Sequence, residues 1–99
     1  MLTHIVICWT DPNNPAAADA LIEGANKYLP GIPGVSLFHA GKMTPSDRSV
    51  VDQSYQVGLR SQFESKTAEE AYQNHPAHIE FVEKVFKPNC IKLVVYDFE

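Results

Sequence analysis

Cysteine is scarce in this chain: Cys8 and Cys90 are the only two among 99 residues. That is too few for the disulfide framework of a small secreted domain, so reduced thiols and a cytoplasmic location are expected. Positive charge is scarce too, with eight lysines and arginines against twelve aspartates and glutamates and a formal net charge of −4. The basic residues are scattered from Lys27 to Lys92 and form no stripe, which argues against nucleic acid and against an anionic membrane surface as partners. No long apolar run is present. The opening Leu2–Trp9 carries His4, lacks a basic flank and a small-residue cleavage site, and is too short to span a bilayer, so neither a signal peptide nor a membrane anchor is expected. Gly24, Gly31, Gly34, Gly41 and Gly58 match no phosphate-binding loop, and there is no nucleophile elbow, repeat or low-complexity tract. Residues 1–99 read as one domain with a modest core.

What is present is a clear alternation of periods. Leu2–Trp9 is rich in β-branched and aromatic residues and reads as a strand. Asp11–Pro15 breaks it, and Asn14 is expected to cap a helix with Pro15 at its first position. Ala18, Leu21, Ile22, Ala25 and Leu29 follow at helical spacing, Pro30-Gly31 stops them, and Pro33-Gly34 suits the centre of a type II turn. Val35–Met43 and Tyr55–Phe63 read as strands, the second with Tyr55, Val57, Leu59, Ser61 and Phe63 on one face. Thr67-Ala-Glu-Glu70 has the form of a capping box opening a short helix through Tyr72. His75 precedes proline and is pushed out of the α region, so the helix breaks there and restarts at Pro76 with Ile79, Val82, Val85 and Phe86 as its apolar stripe. Cys90–Phe98 is the last strand.

The order strand, helix, strand, strand, helix, strand is an α+β, ferredoxin-like βαββαβ pattern with an antiparallel four-stranded sheet. The helices cover one face of such a sheet. In the last strand Ile91, Leu93 and Val95 point one way and Val94, Tyr96 and Phe98 the other, so the second face is apolar too. A second copy of the chain would cover it, which predicts a homodimer; an open face used for another partner is the competing reading.

The stretch Phe63-Glu-Ser65, Tyr72-Gln-Asn-His-Pro-Ala-His78 and Phe81 resembles the signature of the stress-responsive A/B barrel (Dabb) family, and Thr3-His-Ile-Val6 and Val95-Tyr-Asp-Phe98 resemble its first and last strands. The resemblance implies a ferredoxin-like monomer that dimerises into an α/β barrel. It also implies a functional range from proteins known only as stress-associated to a plant cyclase that closes a linear polyketide by aldol condensation without a cofactor. That cyclase's tyrosine and histidine pair fall on Tyr72 and His78, and its first-strand histidine falls on His4. A further pocket histidine falls on Val57, a departure that bears on substrate identity.

The residues themselves support such chemistry. With His75 as cap and Pro76 as the first helical residue, His78 lies in the first turn, where the helix dipole favours the neutral, proton-accepting imidazole. Tyr72 would donate to a carbonyl or developing enolate. His78 and Tyr72 are therefore the expected catalytic residues, with His4, His75 and Val57 as ligand-binding positions around a small apolar or aromatic ligand and no cofactor. A structural reading stands beside this: His78 satisfied by backbone or carboxylate, and Tyr72 plugging the cavity. Asp97 would bond to backbone or orient a pocket histidine. His75-x-x-His78 invites a metal, but the proline breaks the register and no further ligand accompanies the pair, so no metal is expected. Two alternatives remain open, a non-enzymatic stress-associated dimer and a cofactor-independent monooxygenase. Cys8 has no activating motif.

Overall fold

Strand β1 spans Leu2–Trp9, as its β-branched run predicts. The computed structural model describes Met1 to Glu99. After β1, Asp11 organises the turn: its carboxylate accepts from the Asn13 amide at 2.8 Å and its carbonyl from the Asn14 amide at 2.9 Å. Helix α1 begins later than the Asn14 cap would place it, at Ala17–Tyr28, with no side-chain cap. The reason is local: the Ala17 amide bonds the Asn14 carbonyl at 3.1 Å, so Asn14 closes a tight turn instead of capping with its side chain. Leu21 and Ala25 are buried on one stripe of α1, and Leu29 continues it just past the helix end. Gly34 has φ of +95° and the Val35 amide reaches the Ile32 carbonyl at 3.3 Å, the type II turn that Pro33-Gly34 foretells.

Strands β2 (Leu37–Lys42), β3 (Val57–Phe63) and β4 (Lys92–Phe98) complete an antiparallel sheet in the order β2-β3-β1-β4. Val57, Leu59, Ser61 and Phe63 alternate inward on β3 as expected, while Tyr55 lies outside the strand. The α/β barrel expected from the resemblance is not what the chain forms. Its sheet is open, with β2 and β4 as edges that do not pair with each other. Four strands are half of the about eight that close a barrel around a filled interior.

Helix α2 is Lys66–Gln73. Its cap is Ser65, whose hydroxyl accepts from the Ala68 amide at 3.2 Å, and not the Thr67 box. One residue separates the extended Ser65 from β3, so the chain turns helical two residues earlier than the box implies. Helix α3 is Pro76–Phe81, preceded by the predicted break at His75, and it runs on into a π-helical stretch, Val82–Phe86, and a final turn, Lys87–Asn89. The expected stripe fails at its start: in α3, ahead of the π-helical stretch, Ile79 is 52% exposed, whereas Phe81 is buried at 2%. Gly24 of α1 meets this stretch so closely that a Cβ there would lie 2.4 Å from the Val85 Cγ1.

The strand register sorts the sheet into two faces. His4, Val6 and Cys8 of β1 stand beside Asp97, Val95 and Leu93 of β4 on the helix side. Thr3, Ile5 and Ile7 stand beside Phe98, Tyr96 and Val94 on the other, which no element of the chain covers.

Candidate functional site

The helix-side face and the helices form a half-open cavity of about 700 Å³. Leu29, Phe38, Leu59, Phe81, Val82 and Phe86 make its lining largely apolar. His4, Tyr72 and His78 bring polar groups to it from β1, α2 and α3, and Lys87 from the final turn.

His4 comes from the centre of the sheet, with Ser61 of β3 on one side and Asp97 of β4 on the other. It is 6% exposed, and its Nδ1 meets the Asp97 Oδ1 at 2.5 Å. Asp97 thus orients a pocket histidine, leaving Nε2 free for a ligand. Ser61 is buried beside it. Tyr72 reaches in from the last turn of α2, its ring 4.9 Å from the Phe63 ring and 6.5 Å from the His4 ring. His78, in the first turn of α3, sets its ring edge-on to Tyr72 with centroids 4.7 Å apart. The break between the two helices makes this approach: a continuous helix would rotate residue 78 about 600° from residue 72, whereas the extended His75 resets the chain direction.

The other two expected positions lie elsewhere. His75 does not line the cavity; it caps α3, its Nδ1 accepting from the Ala77 amide at 3.0 Å. Val57 is wholly buried in the core and does not reach the cavity either. The sequence reading also missed Glu69. The residue is 3% exposed, its carboxylate accepts from the Gln73 Nε2 at 2.7 Å and pairs with the Lys66 Nζ at 3.4 Å, and all three residues line the cavity. The signal was available: 66, 69, 72 and 73 share a face at i, i+3 and i, i+4 spacing.

Burial sets the protonation states. It pushes the Tyr72 phenol well above its ordinary value, with the neighbouring Glu69 carboxylate adding to the effect. It holds His78 below 6.5, helped by His4 and opposed by Glu69 and a backbone bond at Gln73. At neutral pH the pair is a neutral imidazole beside a protonated phenol, an acceptor and a donor facing one apolar space. No three of the histidines, cysteines, aspartates and glutamates cluster to hold a metal ion.

The model of the stress responsive A/B barrel domain matches residues 2–99. The chain belongs to the Dabb family. The matched residues include every polar group of the cavity described above. Among Dabb relatives, a stress-response A/B barrel domain-containing protein of Arabidopsis thaliana is 31% identical, over 97% of this chain and 86% of its own length. A dimeric ferredoxin-like protein of unknown function from Jannaschia superposes with a TM-score of 0.77 at 25% identity, covering 99% of this chain and 97% of that one. A hydroxynitrile lyase from Passiflora edulis superposes with a TM-score of 0.77 at 21% identity, covering 98% and 90%, which establishes a shared fold. No helix is long and apolar enough to cross a membrane.

Proposed function

We propose that this Dabb protein binds a small, largely apolar molecule in the cavity and abstracts a proton next to its carbonyl group, without a cofactor. The observation that carries the reading is the edge-on Tyr72–His78 pair, 4.7 Å between ring centroids, on the wall of a cavity whose remaining lining is apolar toward Leu29, Phe38, Leu59, Phe81, Val82 and Phe86 and polar around His4 and Glu69. His78 is the base. Its depressed basicity keeps it neutral near pH 7 and ready to accept. Tyr72 is the donor to the oxygen on which negative charge develops, and its raised pKa keeps that proton in place. His4, fixed by Asp97, is the second polar contact for the bound molecule. Glu69 sits behind the pair as a charge that disfavours the phenolate.

Lyase or cyclase chemistry both begin with such a proton transfer, and the Passiflora lyase is one enzyme built on this fold. We further propose that the working form is a homodimer stacked through the uncovered sheet face, as the Jannaschia protein is described as dimeric.

The test is deuterium uptake in heavy water at the acidic carbon of an aryl-substituted β-diketone, followed by NMR. Wild-type protein should accelerate uptake, and His78→Ala should lose about 100-fold or more of that acceleration while the fold is unchanged. Equal uptake by wild type and His78→Ala would remove His78 from any mechanism. Diketone binding without accelerated uptake would leave a ligand-binding, non-enzymatic protein.

A further inference from the structure

Cys8 and Cys90 take no part in that site, yet the fold brings them together. Cys8 stands on the helix-side face of β1 with no solvent exposure. Cys90 lies between the Lys87–Asn89 turn and β4, half-buried, on the cavity wall. One residue beyond each, the backbones are joined: the Ile91 amide donates to the Trp9 carbonyl at 2.8 Å. The Cys90 side chain packs against the core cluster that contains Cys8, so the chain brings the two thiols to the same corner of the core. The Cys90 thiol also donates to the Lys92 carbonyl at 3.1 Å.

We propose that Cys8 and Cys90 are an oxidation site at which a peroxide closes an intramolecular disulfide between β1 and the end of the last helical segment. Access decides the order of events. A peroxide entering the cavity meets the Cys90 sulfur, which attacks one peroxide oxygen as the O–O bond breaks; Cys90 becomes a sulfenic acid and the other oxygen leaves as water. Cys8 has no path to solvent, and burial beside Cys90 raises its thiol, so it reacts only with the group next to it. Its sulfur attacks the Cys90 sulfur, the S–OH bond breaks, and the Cys8 proton departs with the hydroxyl as a second water. Two thiols lose two electrons, and one peroxide is reduced to two waters. The disulfide draws the Cys90 sulfur from the Lys92 carbonyl and ties the segment bearing Val82, Phe86 and Lys87, all on the cavity wall, to β1. It also closes a loop that contains most of the chain, which restrains the unfolded state strongly.

The experiment takes the full chain, fully reduced, and adds hydrogen peroxide. The expected product has lost two hydrogens by intact mass, has no alkylatable thiol, gives a Cys8–Cys90 linked peptide on non-reducing digestion, and melts at a higher temperature until a reductant restores the starting value. In Cys8→Ala the same treatment should stop at a Cys90 sulfenic acid that dimedone traps. Three outcomes overturn the proposal in wild-type protein: both thiols unchanged, a disulfide joining two chains, or Cys90 carried to the sulfinic acid with no link to Cys8. The linked peptide from wild type decides the matter even if Cys8→Ala fails to fold.

Discussion

His78 and Tyr72 are driven in opposite directions on the pH scale by one cause. Burial disfavours the charged form of each, the imidazolium of one and the phenolate of the other. The consequence is a wide pH range over which the pair stays in its acceptor–donor form. The acid limb of the exchange reaction should therefore lie below pH 6.5, and no alkaline limb from Tyr72 should appear up to pH 10. The same shift has a sign for stability. Between the depressed folded value and 6.5 the unfolded chain binds more protons, so the contribution of a neutral His78 is complete above 6.5 and is lost as pH falls through that window. Because His4 is the second cause of the depression, His4→Gln should move the His78 titration back toward 6.5. An NMR titration of the His78 ring protons reads this directly; a midpoint at or above 6.5 in wild type would contradict the burial argument.

At the scale of elements, the site depends on where helices start and stop. The His75–Pro76 break was legible because proline excludes the α region for the residue before it, and this placed His78 in a first turn beside Tyr72. The same logic failed for Asn14 and Thr67, where good capping residues lie near a helix start but a backbone turn and Ser65 take the role. Glu69 was hidden by that error, since a box at Thr67 treats the glutamates as helix-end groups and says nothing of the inward face. His75 and Val57 were both expected at the cavity, Val57 by resemblance, and the bond His75 makes as a cap and the burial of Val57 hold them away from it. The π-helical stretch was not legible at all, because the stripe was read at 3.6 residues per turn while the chain widens after Phe81. Gly24 reports on that stretch. Gly24→Ala would drive a methyl into both branches of Val85, at 2.4 and 2.9 Å, and against its Cβ at 3.1 Å, so a rotamer change alone does not relieve it. The expected loss is roughly 1–3 kcal/mol of stability by chemical denaturation, against a modest gain from helix propensity. A neutral or stabilising result would mean that α1 and the π-helical stretch separate more easily than their packing suggests.

For the whole molecule the deciding feature is the uncovered sheet face. It is not uniformly apolar. The β2–β3 half carries His39, Arg60 and Gln62 beside Leu37, whereas the β1–β4 half carries Ile5, Ile7, Val94, Tyr96 and Phe98. Tyr96 and Phe98 are 58% and 57% exposed in the isolated chain, adjacent on one edge strand, and so form a contiguous patch that a monomer would leave in water. A two-fold axis over this half brings apolar strip against apolar strip and leaves the polar half at the rim. The alternation of β4 made the face visible in the sequence; its polar–apolar division needed the strand register. Tyr96→Asp tests the arrangement, because the side chain touches little within its own chain and symmetry places the new charge in the interface twice. Wild type should sediment as a dimer, and Tyr96→Asp as a monomer with an unchanged circular dichroism spectrum, a dissociation constant weakened by about 100-fold or more for a desolvated unpaired charge. A monomeric wild type would instead assign this face to a different partner, and a dimeric Tyr96→Asp would move the contact off the β1–β4 half.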